Sequence, residues 1–153
     1  MLEYIKRMRS HIGHDPLLLC GASIILYNAS QQVLMLQRSD NGCWCFPGGA
    51  IELGETTEDA VRRELLEETG LTVEELHIFG VFSGEELHYV YPNGDEVYIV
   101  DVVYTSDQCR GELTIDKESR SYQFFDIADL PAEISPPVVP IVEALKRRHG
   151  VTV

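Results

Sequence analysis

One segment constrains this chain more than any other: PGGAIELGETTEDAVRRELLEETGL, residues 47–71. It joins a glycine-rich loop to a helix whose two ends are both marked. Thr56 followed three residues later by Asp59 is a capping-box pattern, Glu58 and Asp59 complement the dipole in the first turn, and Gly70 supplies the C-terminal cap. The predicted helix therefore runs over Thr56–Thr69. At about 100° per residue, Glu67 falls about −60° and Glu68 about +40° from Glu64, so three carboxylates share one face. Val61 and Leu65, with Ala60 beside the acidic stripe, bury a neighbouring face and anchor the helix.

Helix energetics alone do not select such a stripe, because like charges at i and i+4 repel, more so facing a partly enclosed groove. A row of acids is by itself most often a solvated face. The ligand that would reward it is a hard cation: Mg²⁺ prefers oxygen donors and is commonly held by few carboxylates plus substrate phosphates. Such an ion would neutralise the stripe, orient a bridging phosphate and help activate water.

The rest of the composition narrows the field. A chain of 153 residues is a prior for one domain, and 44% hydrophobic with 24% charged residues is ordinary globular composition. The formal net charge is −13, which disfavours a nucleic-acid polymer as partner. A small anion remains compatible wherever a bound divalent cation reverses the local sign. Cys20, Cys43, Cys45 and Cys109 are no secreted-type disulfide framework, and one Cys-x-Cys pair is weak evidence for zinc, so a reducing, cytoplasmic setting is expected. The apolar run Leu17–Tyr27 is too short to span a membrane. The basic residues before it lack the apolar region of a signal peptide, so neither membrane nor leader is expected.

Along the chain, residues 3–10 read as a short helix closed by Gly13 and Pro16, an accessory in residues 1–16 to a main domain over 17–153. Leu17–Tyr27 and Gln32–Arg38 read as a hairpin about the turn Asn28–Gln31, and Asp40-Asn41-Gly42 forms a second turn. Gly48–Gly54 reads as a loop. Leu76–Phe82, Leu87–Tyr91, Val97–Thr105 and Tyr122–Phe125 read as strands, and Val138 to about His149 as a final amphipathic helix. Helices alternate with strands while hairpins interrupt the βαβ rhythm, which predicts an α/β fold with a mixed sheet sandwiched by helices.

The register of the acidic segment is specific. Gly49 is followed after five positions by Glu55, after seven more by Arg63-Glu64-Leu65, then Glu67-Glu68 and Gly70-Leu71 at single-residue intervals. This pattern resembles the Nudix box, the loop-helix signature of the Nudix hydrolases, at every fixed position. Val33–Arg38 with Trp44, Phe46, Pro47 and Gly48 looks like the family lead-in, and Phe124-Phe125 with Asp129-Leu130-Pro131 like its exit.

The resemblance implies an α/β/α sandwich with a mixed sheet, and Mg²⁺- or Mn²⁺-dependent hydrolysis of a nucleoside diphosphate linked to another moiety. By matching position it implies Glu64, Glu67 and Glu68 as metal ligands, with a backbone carbonyl near Gly49 contributing. Arg63 would pair with Glu55 or a neighbouring acid to hold loop and helix in register. Family members often take a further acid from a late loop, which makes Glu118, six positions before Phe124, the candidate extra ligand or general base; Glu112 and Asp116 lie near it. Trp44, Tyr89, Tyr91 and Phe82 are candidates to stack on a base or to pack in the core. The loop Ser83–Asn93 is an expected seat of specificity. Homodimers are common in the family. The alternative function is a non-catalytic nucleotide-binding sensor of the same fold, which a degenerate box would favour; here no box acid is missing.

Overall fold

The computed structural model describes residues 2–153. Its helices are α1 (Glu3–Ile12), α2 (Thr57–Thr69) and α3 (Val139–Arg148). Its strands are β1 (Leu17–Leu26), β2 (Val33–Arg38), β3 (Trp44–Cys45), β4 (Gly48–Ala50), β5 (Thr72–Val73), β6 (His77–Phe82), β7 (His88–Val90), β8 (Glu96–Ser106), β9 (Cys109–Arg110) and β10 (Ser119–Phe125).

β1 and β8 pair in parallel through ten residues, from Leu17 opposite Val97 to Leu26 opposite Ser106. β4 adds antiparallel to β1, and β6 and β7 add antiparallel to β8, so the principal sheet is mixed. A separate antiparallel sheet runs β10-β2-β3. The turn between β1 and β2 lies where expected, with Asn28 Oδ1 accepting from the backbone N–H of Ser30 and Gln32. The expected hairpin does not form: both edges of β1 are taken by β8 and β4, so after the single bridge Tyr27–Val33 β2 leaves to pair with β3 and β10.

β1 from Gly21 onward and β2 over Val33–Leu36 are buried on both faces, which explains their apolar runs, whereas Leu18 and Cys20 at the start of β1 are exposed. Ala22, Ile24, Leu26, Leu34 and Leu36 pack with Ala60, Val61 and Leu65 of α2 on one side. Ile25, Val33 and Met35 pack with Ile141, Val142 and Leu145 of α3 on the other. The α/β/α sandwich is thus two cores divided by sheet.

Three further local expectations change. Gly48–Ala50, expected as loop, forms β4, because its backbone satisfies the free edge of β1 at Ala22 opposite Gly49. The last strand begins at Ser119 rather than Tyr122, with a register shift between Ser119 and Ser121 that masks its period. β5 and β9 pair only with each other, two residues apiece, too short to leave a sequence signal.

Candidate active site

α2 begins and ends as its caps dictate. Thr56 Oγ1 accepts from the Asp59 N–H at 3.1 Å, and Gly70 adopts the left-handed conformation, φ 72°, that donates its N–H to Leu66 O. With its apolar face fixed on β1 and β4, the helix presents Glu64 and Glu68 to the strand β4. Glu68 is buried at 7% exposure, and its Oε1 accepts the Gly48 N–H at 2.9 Å. Glu64 lies so close under Gly49 that a Cβ there would sit 2.6 Å from the Glu64 carboxyl carbon. A side chain at Gly49 would therefore displace the Glu64 carboxylate, whatever its backbone angles. Glu67, one turn on, is exposed.

Arg63 ties this assembly together. Its Nε and Nη2 grip the two Glu55 oxygens at 2.7 and 2.9 Å, Nη2 also donates to Ala50 O at 3.1 Å, and Nη1 reaches Glu64 at 2.8 Å and Glu67 at 3.4 Å. Glu55 also accepts the Glu52 N–H, so the loop between β4 and α2 is closed on itself. The guanidinium holds Glu55 below the usual carboxylate range. Burial raises Glu64, an effect Arg63 opposes and Glu67 and Glu118 reinforce. Burial pushes Glu68 well up, against the pull of the Gly48 N–H, with Glu64, Glu118 and Asp116 adding repulsion.

These carboxylates open onto a cavity of about 640 Å³. Asp116 and Glu118, from the loop before β10, line it as well, whereas Glu112 does not. Of the aromatic candidates, Tyr89 and Tyr91 line the cavity, edge to face at 5.1 Å, with the Arg38 guanidinium 5.8 Å over the Tyr91 ring. Trp44 instead packs edge-on against Phe125 and Phe82 stacks on Phe79, both in the core beside α3. His88 is held by Glu96 and His77 lies near Glu75, both as surface pairs. Glu52 faces outward, against α1. All four cysteines are free thiols.

Three features were missed in the sequence. Cys45 lines the cavity, and burial pushes its thiol up to about 12. Asp101, in the middle of the apolar strand β8, lies on the cavity floor, where its Oδ2 accepts the Ser23 hydroxyl at 2.6 Å; burial raises it to about 6. A lone acid within Val97–Thr105 was the available signal, since a buried carboxylate needs a reason. Finally, Leu2 together with Ile5 and Arg9 of α1 forms one wall, and Arg9 is pinned to Gly13 O, Asp15 O and Glu96 O.

The donor set suits a hard divalent cation. At the helix end of the cavity Glu64, Glu67, Glu68, Asp116 and Glu118 offer oxygen, Gly49 brings main chain beside Glu64, and Arg63 is the one cation paired with the box acids among the described residues. No group of three or more His, Cys, Asp and Glu side chains is drawn together tightly enough to hold a metal among the described residues. Glu64 is engaged by Arg63 and Glu68 by Gly48. One or two carboxylates with substrate oxygens are what Mg²⁺ commonly uses, so the arrangement fits.

The NUDIX domain family profile matches residues 18–145. The chain belongs to that family. It is 36% identical over 103 residues to the ADP-ribose pyrophosphatase of Methanocaldococcus jannaschii, covering 65% of this chain and 57% of that protein. It is 31% identical over 128 residues to the 8-oxo-dGTP diphosphatase of Escherichia coli, covering 80% and 92% respectively. The chain spans 57%, 61% and 34% of the first three curated relatives it matches. In structure it superposes on the MutT NUDIX hydrolase of Burkholderia pseudomallei with a TM-score of 0.70 at 24% identity, covering 86% of this chain and 98% of that one, a likeness of fold. Among the described residues no helix is long and apolar enough to cross a membrane.

Proposed function

We propose that this chain is a divalent-metal-dependent pyrophosphohydrolase that cleaves a phosphoanhydride in a nucleoside diphosphate linked to another moiety. The observation that carries this reading is the convergence of Glu64 and Glu68 on β4 at the rim of a cavity large enough for a nucleotide. Nucleotide substrates among relatives, ADP-ribose and 8-oxo-dGTP by name, support it.

Mg²⁺, or Mn²⁺ in its place, would be held by Glu64, Glu68 and the Gly49 carbonyl, with Glu67 and Glu118 as further donors. When bound, it supplies charge to the diphosphate oxygens and lowers the pKa of water. The chain's own residues do the rest. Arg63 holds Glu55 and Ala50 in register with Glu64, keeping the donors fixed while substrate enters. Water attacks phosphorus, the bond to the bridging oxygen breaks, and two phosphorylated products leave. The proton of the attacking water passes to a cavity carboxylate, for which Glu118, exposed on its loop and free of Arg63, is our candidate. The segment over residues 1–16 is an accessory to the domain over 17–153, and its Leu2, Ile5 and Arg9 close one wall of the cavity. Free thiols fit a cytoplasmic setting.

The test is product release from a panel of nucleoside diphosphate derivatives with Mg²⁺ present or withheld, comparing the native chain with Glu68→Gln. Metal-dependent cleavage lost in the variant supports the reading. Ligand binding without turnover in the native chain would favour the sensor.

A further inference from the structure

The cavity floor is built from alternate residues of β1 and β8 in parallel register: Leu17 opposite Val97, Leu19 opposite Ile99, and Gly21 opposite Asp101. At about 3.3 Å per residue, the apolar pairs at Leu19 and Leu17 lie roughly 7 and 13 Å from Gly21. In the other direction β4 flanks β1, with Gly49 opposite Ala22 and Glu64 beneath Gly49. Asp101 therefore stands between an apolar strip and the acidic end.

Gly21 makes a notch at this point. A side chain there would start 3.3 Å from Gly49 O and 3.7 Å from Asp101 Oδ1. Asp101 is 9% exposed, yet among the described residues its only side-chain partner is Ser23, on Oδ2. Oδ1 is buried and has no hydrogen-bond partner, and no cationic side chain reaches the group, among the described residues. An acceptor withdrawn from water without a donor is costly, and the cost disappears when a ligand supplies one. A carboxylate repels phosphate oxygens, so in a nucleotide bound along this floor the group over Asp101 is not the diphosphate but the neutral, hydroxyl-bearing sugar beside it.

Resting on the reading of this cavity as a nucleotide site, we propose that Asp101, supported by Ser23, accepts a hydrogen bond from a hydroxyl of the sugar that joins base to diphosphate, making the site selective for ribonucleotide substrates. The order along the floor is the order of such a substrate: diphosphate at Glu64 and Gly49, sugar over Gly21 and Asp101, base over Leu19 and Ile99. Asp101 is here a specificity residue that touches substrate away from the reacting atoms.

The test pairs ligand and protein deletions. ADP-ribose and GTP are compared with analogues lacking the 2′ or the 3′ hydroxyl of the nucleoside sugar, in the native chain, Asp101→Asn and Asp101→Val. We expect removal of one hydroxyl to lower kcat/KM about tenfold or more in the native chain. That penalty should shrink to within about twofold in Asp101→Val and fall between in Asp101→Asn, since an amide oxygen still accepts but carries no charge. Circular dichroism checks folding, and Asp101→Asn alone decides the matter if Asp101→Val fails to fold. Penalties equal in native and variant chains, or absent from the native chain, would overturn the proposal while leaving the hydrolase reading intact. Absence of turnover for every compound would overturn both.

Discussion

Glu64 packs against the bare Cα of Gly49, so that a methyl group placed there would lie 2.6 Å from its carboxylate. This contact joins two separate parts of the sequence motif, the loop glycine and the helix acid, into one unit. Gly49→Ala must push Glu64 or β4 aside, and misplacing a reacting group by about 1 Å costs on the order of a hundredfold in rate. Steady-state kinetics should show that loss chiefly in kcat, with the chain still folded by circular dichroism.

Glu68→Gln tests the other half of the pair. The amide keeps an acceptor for the Gly48 N–H, so the fold is retained while the charge is lost. Activity should fall by about 10²–10³, the usual effect of deleting one preorganised electrostatic group. Thermal melting of the metal-free variant should match or exceed that of the native chain, because a buried charge held unfavourably has been removed.

Arg63 carries the frame. Arg63→Lys loses the fork that grips both Glu55 oxygens and the link to Ala50 O. Urea unfolding should show a loss of about 1–3 kcal/mol, and a double-mutant cycle with Glu55→Gln should return a coupling above about 0.5 kcal/mol.

Asp101 sets a pH dependence. Its carboxyl titrates at 3.8 in an open chain and at about 6 in the fold, so the folded state binds that proton more tightly. The stabilisation this gives is complete below pH 3.8 and is lost as pH rises through about 6, a difference of about 3 kcal/mol. Glu64 and Glu68, raised in the same direction, act with it in the metal-free protein. Asp101→Asn should flatten this part of the stability profile, raising the melting temperature at pH 7.5 more than at pH 4.

α1 buries none of its residues and rests on Arg9. Arg9→Ala removes its bonds to Gly13 O, Asp15 O and Glu96 O. Hydrogen exchange over Glu3–Ile12 should accelerate at least tenfold while exchange in β1 and β8 is unchanged.

The site was legible where chemistry is local. The caps of α2, the acidic face and the spacing of Gly49, Glu55 and Arg63 all act within one loop and one helix, and Arg63 pairs with Glu55, one of the partners the family resemblance implied. Glu118 reaches the same cavity from a distant loop, a placement the sequence could express only through resemblance. Asp101 and Ser23 meet because β1 and β8 run in parallel, a pairing across nearly eighty positions with no local marker. β4 was read as loop because glycines lack strand propensity, yet its backbone pairing with β1 prevails. Tyr89 and Tyr91 could not be told from Trp44 and Phe82 until topology put one pair at the cavity and the other in the core.

The most direct measurement is a Mg²⁺ titration of ADP-ribose cleavage, with Mn²⁺ binding followed in parallel by electron paramagnetic resonance, in the native chain and in Glu64→Gln with Glu68→Gln. The account predicts saturable metal-dependent cleavage and Mn²⁺ binding in the native chain, both lost in the double variant. Undiminished cleavage or Mn²⁺ binding without the two carboxylates would contradict it.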